Sequence, residues 1–159
     1  MTSARKPVLA IAFVGWLLDL LSKQWALGAL ADGHPREVLG SFLRLWLTAN
    51  PGAAFSVGTG TTWVFTISAT AIAIGIIWKA NAIGHVGWMF GFGGLLGGAL
   101  GNLTDRIFRA PGFPQGHVVD FIALPNFPVF NVADSLITCS VVLMFMLSFK
   151  GIAWERGDE

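Results

Sequence analysis

Two aspartates, Asp120 and Asp134, stand fourteen residues apart beside long apolar runs, in Val118-Val119-Asp120-Phe121 and Phe130-Asn131-Val132-Ala133-Asp134. A carboxylate at membrane depth costs about 3 kcal/mol on insertion scales, so it persists where it pairs, meets water or does chemistry. Two carboxyl groups at one place can share a proton, one then acting as acid and the other as base. Taken singly, Asp134 reads as a first-turn aspartate favoured by a helix dipole, and Asp120 as an exposed loop acid. The apolar neighbours of Asp120 argue against the second reading. Other chemistries lack their residues. There is no His-Glu-x-x-His and no Gly-x-Ser-x-Gly. His34, His85 and His117 lie far in sequence from the single cysteine, Cys139, which reads as buried packing in mid-span. One cysteine permits no internal disulfide, and no Cys/His cluster invites zinc, so no metal or cofactor is expected.

Further polar residues accompany the pair. Asp19 and Lys23 are i and i+4 and share a helix face, where an internal ion pair makes a polar helix tolerable. Gly94, Gly97, Gly98 and Gly101 recur at helical spacing and give a smooth face for close helix packing. The same stripe runs on to Asn102, Asp105 and Arg106. This trio reads as a helix-end cap, or as a site in which Arg106 pairs with Asp105 or steadies a substrate carbonyl. Asn50 precedes the small-residue turn Pro51-Gly52-Ala53-Ala54.

These residues need elements to hold them. Of 159 residues, 54% are hydrophobic and 12% charged, against about 25% charged in an ordinary soluble domain. Net charge is +1, which gives no sign of a nucleic-acid partner. Four segments are long enough to span a bilayer, 8–29, 63–79 with its flanks, 86–104 and 132–149. The first is not read as a cleaved signal, because Asp19 and Lys23 interrupt it and three more spans follow. The expected fold is an all-α membrane protein: four transmembrane helices and a small extracytoplasmic β-rich loop region, in one domain over residues 1–159. Lys and Arg divide five against five between the two sides. Setting aside Lys23, within a helix, and Arg106, within a polar motif, favours cytoplasmic termini. The two long loops, about 30–62 and 105–130, then lie outside. Residues 41–48 alternate as a strand with one apolar face, and Pro111, Pro114, Pro125 and Pro128 mark the second loop as irregular.

A small transporter or proton-conducting subunit is the main alternative, since buried Asp, Lys and Arg also mark such pathways. Against it, the charges gather at one level and form no chain across the membrane. A purely structural subunit gives no reason for two Asp and three Asn at one level.

The chain resembles the lipoprotein signal peptidase (signal peptidase II) family of bacteria. The resemblance rests on five blocks in order: Asp19-x-x-x-Lys23; Asn50-Pro51-Gly52-Ala53-Ala54-Phe55-Ser56; Gly98-Ala99-Leu100-Gly101-Asn102-Leu103-Thr104-Asp105-Arg106; Val118-Val119-Asp120-Phe121; and Phe130-Asn131-Val132-Ala133-Asp134. It implies an intramembrane aspartic endopeptidase of the bacterial inner membrane, with its site near the outer face. Such an enzyme removes signal peptides from diacylglyceryl-modified prolipoproteins, cutting before the lipidated cysteine. The resemblance implies Asp120 and Asp134 as the catalytic dyad, with Asn50, Asn102, Arg106 and Asn131 supporting the site and contacting substrate. Asp19, Lys23 and Asp105 become structural or secondary site residues. The implied partners are prolipoprotein and membrane lipid, and the expected state is a monomer.

Overall fold

A computed structural model describes residues 4–52 and 62–155. Residues 53–56 of the second motif block, and Arg156, one of the ten Lys and Arg residues, lie outside them. Four helices carry most of the chain: α1 (Arg5–Ala29), α2 (Thr62–Lys79), α3 (Val86–Phe108) and α4 (Val132–Phe149). Three short strands, β1 (Arg36–Leu39), β2 (Leu43–Asn50) and β3 (Val118–Ala123), form one antiparallel sheet in the order β1-β2-β3.

By length and composition three helical segments are apolar enough to cross a membrane: Arg5–Ala29, Thr62–Ala82 and Val132–Phe149. The fourth expected span forms α3, in which seven of 23 residues are glycine. Those glycines make α3 the centre of the bundle rather than its most apolar member. A Cβ at Gly97 would sit 2.7 Å from the Ala12 carbonyl oxygen of α1. At Gly101 it would run into the Asp19 carboxylate and come within 3.1 Å of Ala133 of α4. Glycine is therefore what lets α1 and α4 close on α3 at the level of the polar residues.

Apolar packing brackets that level. At one end Ala4, Val8, Ile76, Ile83, Trp88, Leu96 and Leu147 form a buried cluster. At the other, Ala26, Leu30 and Phe121 pack with Leu45, Leu47, Ile122 and Val132 beneath the sheet. Large side chains such as Phe13, Ile67, Ile74 and Phe145 point outward, an arrangement suited to lipid rather than water.

Two expectations need correction, and one strand needs only its ends moved. The second long loop is not wholly irregular, because its run Val118–Ala123 forms β3 and pairs with β2. Its prolines flank the strand without entering it, so no ladder donor is lost. The strand expected at 41–48 is β2, Leu43–Asn50, and β1 pairs with its other edge. Cys139 is exposed rather than buried. The inward residues of α4 are Ala133, Ser140 and Leu147, spaced by seven, and Cys139 falls off that stripe onto the outer face.

Candidate active site

The start of α4 organises the site. Asn131 caps the helix: its Oδ1 accepts from the Asp134 N–H at 2.9 Å, and its own N–H donates to Asp134 Oδ2 at 3.2 Å. This reciprocal pair satisfies helix-end donors. It also fixes the Asn131 amide orientation, leaving Nδ2 to donate to Asp120 Oδ1 at 2.6 Å. One asparagine therefore touches both aspartates. Asp120 lies on β3, 1% exposed, and Asp134 is half-buried at the end of a cavity.

Each carboxylate has a second amide. Asn50, the last residue of β2, donates Nδ2–H to Asp120 Oδ2 at 2.9 Å while its Oδ1 accepts from the Gly52 N–H at 2.8 Å. Asn102 of α3 donates to Asp134 Oδ1 at 2.8 Å. Burial pushes the Asp120 carboxyl from 3.8 up to about 7, against the pull of the Asn50 and Asn131 donors and with the nearby Asp134 carboxyl adding to the rise.

Beneath the pair lies a closed charge cluster. The Lys23 ammonium, 1% exposed, is 2.7 Å from Asp19 Oδ2 and 2.9 Å from Asp105 Oδ2, and it donates to Asn102 Oδ1 at 3.1 Å. Its three N–H groups thus have three acceptors. Asp19 Oδ1 accepts from the Ala133 N–H at 2.8 Å, joining α1 to the first turn of α4. Asp105 also accepts from the Val119 N–H at 3.1 Å, next to Asp120, and pairs with Arg109. Two aspartates against one lysine and one arginine leave the cluster neutral, which makes burial tolerable.

Arg106 is placed differently from the pairing with Asp105 that adjacency allows. Its Nη1 donates to the Asn50 carbonyl at 3.3 Å and the Gly116 carbonyl at 2.9 Å, tying together two segments beside Asp120. The sequence motifs do not include Arg109, although its i+4 spacing from Asp105 is a legible signal for the pair that forms. A cavity of about 360 Å³ opens in front of the site. Asn50, Asn102, Arg106 and Asp134 are among its polar lining residues, and Phe65 and Leu95 among its apolar ones. Asp120 sits behind Asn50 and Asn131. All nine expected site residues therefore lie in one connected network, built from α1, β2, α3, β3 and α4. The buried carboxyls, and amides that can both donate and accept, suit proton transfer and water activation.

The family profile described as signal peptidase (SPase) II matches residues 11–150. The chain belongs to the signal peptidase II family. The lipoprotein signal peptidase of Streptomyces griseus is 48% identical over 145 residues, 91% of this chain and 74% of that protein. That of Mycobacterium tuberculosis is 43% identical over 148 residues, 93% of this chain and 73% of the relative. Two solved structures described as bacterial membrane enzymes share the fold. One has a TM-score of 0.76 at 28% identity, covering 96% of this chain and 93% of its own. The other has a TM-score of 0.77 at 29% identity, covering 90% and 92%. The chain is accordingly a membrane protease, and an aspartic type is consistent with this family.

Proposed function

We propose that this peptidase removes signal peptides from diacylglyceryl-modified prolipoproteins, cutting before the lipidated cysteine, with Asp120 and Asp134 as its catalytic pair. The observation that carries this reading is the shared asparagine: Asn131 holds Asp120 at 2.6 Å and Asp134 at 3.2 Å through two different groups. Burial raises the Asp120 carboxyl to about 7, so Asp120 can supply a proton up to about neutral pH. One carboxylate takes a proton from a water whose oxygen attacks the scissile carbonyl carbon, and the other carboxyl donates its proton toward the carbonyl oxygen. Passage of a proton to the leaving nitrogen then breaks the C–N bond.

In this reading Asn102 and Asn131 hold the carboxyls, and substrate draws the Asn50 amide away from Asp120 to reach it. Arg106 steadies the backbone on which Asn50 stands and faces substrate across the cavity. Asp19, Lys23 and Asp105 keep the helices in register. The same reading takes α3 as a fourth span, 1–159 as a single membrane domain and the enzyme as a monomer. It puts both termini in the cytoplasm and the site near the outer face of the bacterial inner membrane, where a lipid-anchored substrate is reached from within the bilayer. The proton-conducting alternative gains no support, since the charged network closes on itself at one level between two apolar clusters.

The test is incubation of the purified, reconstituted enzyme with a diacylglyceryl-modified prolipoprotein peptide and sequencing of the products. A new amino terminus at the lipidated cysteine is expected. Intact peptide, or equal cutting of the unlipidated form, contradicts the reading.

A further inference from the structure

Outside the catalytic network, one cation of the sheet has no partner among the described residues. Arg44 lies on β2, opposite Glu37 of β1 and Ala123 of β3 in register, yet no ion pair joins it to Glu37. Its Nε is buried without an acceptor. The other buried atom without a hydrogen bond, Asp19 Oδ2, has its counter-charge at Lys23, so Arg44 is the unmatched group. No anion pairs with this guanidinium among the described residues, and an anion in a cavity beside it would give its outer N–H groups charge-assisted acceptors.

Arg44 opens into a second cavity, of about 610 Å³, separate in its lining from the one at Asp134. Trp46 of β2 and Phe127 stand in its wall, 42% and 60% exposed. Asn126, held at φ 56°, adds a carboxamide. Val38, Leu39 and Phe42 on and beside β1 are exposed as well. A guanidinium in one cavity with two aromatic side chains, beside exposed apolar side chains, matches an amphiphile with an anionic head. It matches a free ion or an acidic peptide less well, since neither has a use for the apolar surround.

We propose that the Arg44 cavity binds the phosphate headgroup of an anionic phospholipid, with Trp46 and Phe127 against the upper part of the lipid. The 124–129 turn that forms one wall joins β3, which carries Asp120, to the Asn131 cap of α4. Bound lipid therefore anchors the sheet at the membrane surface and steadies the segment between the two aspartates.

The test places the full-length protein in phosphatidylcholine nanodiscs with and without phosphatidylglycerol and counts retained lipid by native mass spectrometry. This readout needs no cleavage, so it stands or fails apart from the proposed peptidase reaction. Wild type is expected to retain phosphatidylglycerol preferentially. Arg44→Gln should bind it about fivefold more weakly, and Arg44→Lys should recover part of the loss. Cleavage by Arg44→Gln in pure phosphatidylcholine should match wild type, and its gain from phosphatidylglycerol should be smaller. Equal retention by wild type and Arg44→Gln overturns the proposal. Displacement of the lipid by inorganic phosphate at millimolar concentration makes the site one for a soluble anion. A defect confined to substrates with acidic residues after the cut makes it a peptide subsite. Either result overturns the lipid assignment.

Discussion

At the scale of single residues, the same polar groups act at two depths. Asp120 and Asp134 meet at Asn131, and Lys23 with Asp19 and Asp105 forms the closed cluster behind them. The two sets should fail differently. Lys23→Met leaves two buried carboxylates short of their cation and should destabilise the protein by about 3–5 kcal/mol. Thermal unfolding in detergent would register this as loss of folded yield, before any question of rate. Acidity offers a second check. Burial raises the Asp120 carboxyl to about 7. The folded chain therefore holds a proton that the unfolded chain gives up near pH 4, and this group's contribution to stability falls as pH climbs from about 4 to about 7. If the pair needs that proton as its acid, kcat/KM should also fall as pH rises past about 7, with an apparent value belonging to the coupled pair. A profile of kcat/KM flat from pH 6 to 9 would contradict the raised carboxyl. The existence of the polar level was legible in the sequence because acids and amides stand out in apolar runs. The partners were less so: helix spacing favours Arg109 over Arg106 for Asp105, but only the folded backbone turns Arg106 toward the Asn50 and Gly116 carbonyls.

At the scale of elements, α3 is the keel of the molecule. Its glycine face admits α1 on one side and α4 on the other, and the closest approach occurs beside Asp19. Gly101→Ala should drive these helices apart where the site is built, costing about 1–3 kcal/mol as an overpacked contact and most of the activity. Gly28→Ala is the matched control, since a Cβ there meets nothing within 4 Å. It should be neutral, or stabilising by up to about 1 kcal/mol through helix propensity. Paired melting curves and cleavage rates would separate them, and equal behaviour would contradict the role given to the glycine face. The helices were legible because apolar runs of this length have few other fates, and β2 because its alternation is strong. β1 was not, being four exposed residues with no apolar face. β3 was hidden among prolines, and its burial on both faces removes the alternation by which strands are read.

At the scale of the whole molecule, the arrangement sets a level of buried polar groups between two apolar clusters, the second of them beneath a small sheet. The proposed orientation has both termini inside. Fusions of a reporter active only outside the cytoplasm should be silent at the C-terminus and active within the 30–62 loop, and the opposite pattern would reverse the topology. The outward face of each helix resisted reading from sequence for a physical reason. In lipid both faces of a helix tolerate apolar residues, so the periodicity that marks a buried face in a soluble protein is weak. The misplacement of Cys139 has this origin.

In the proposed reaction Asp120 and Asp134 act as one catalytic unit. The most direct measurement is the cleavage rate per folded molecule of Asp120→Asn, Asp134→Asn and the double variant on a lipidated prolipoprotein peptide, with binding recorded separately. Asparagine keeps the shape of aspartate but neither ionises nor passes the proton. Each single variant should lose nearly all turnover while still folding and binding, and the double variant should be scarcely worse than either, as expected of coupled groups. Substantial turnover by either folded single variant, or losses that simply multiply in the double, would contradict the account.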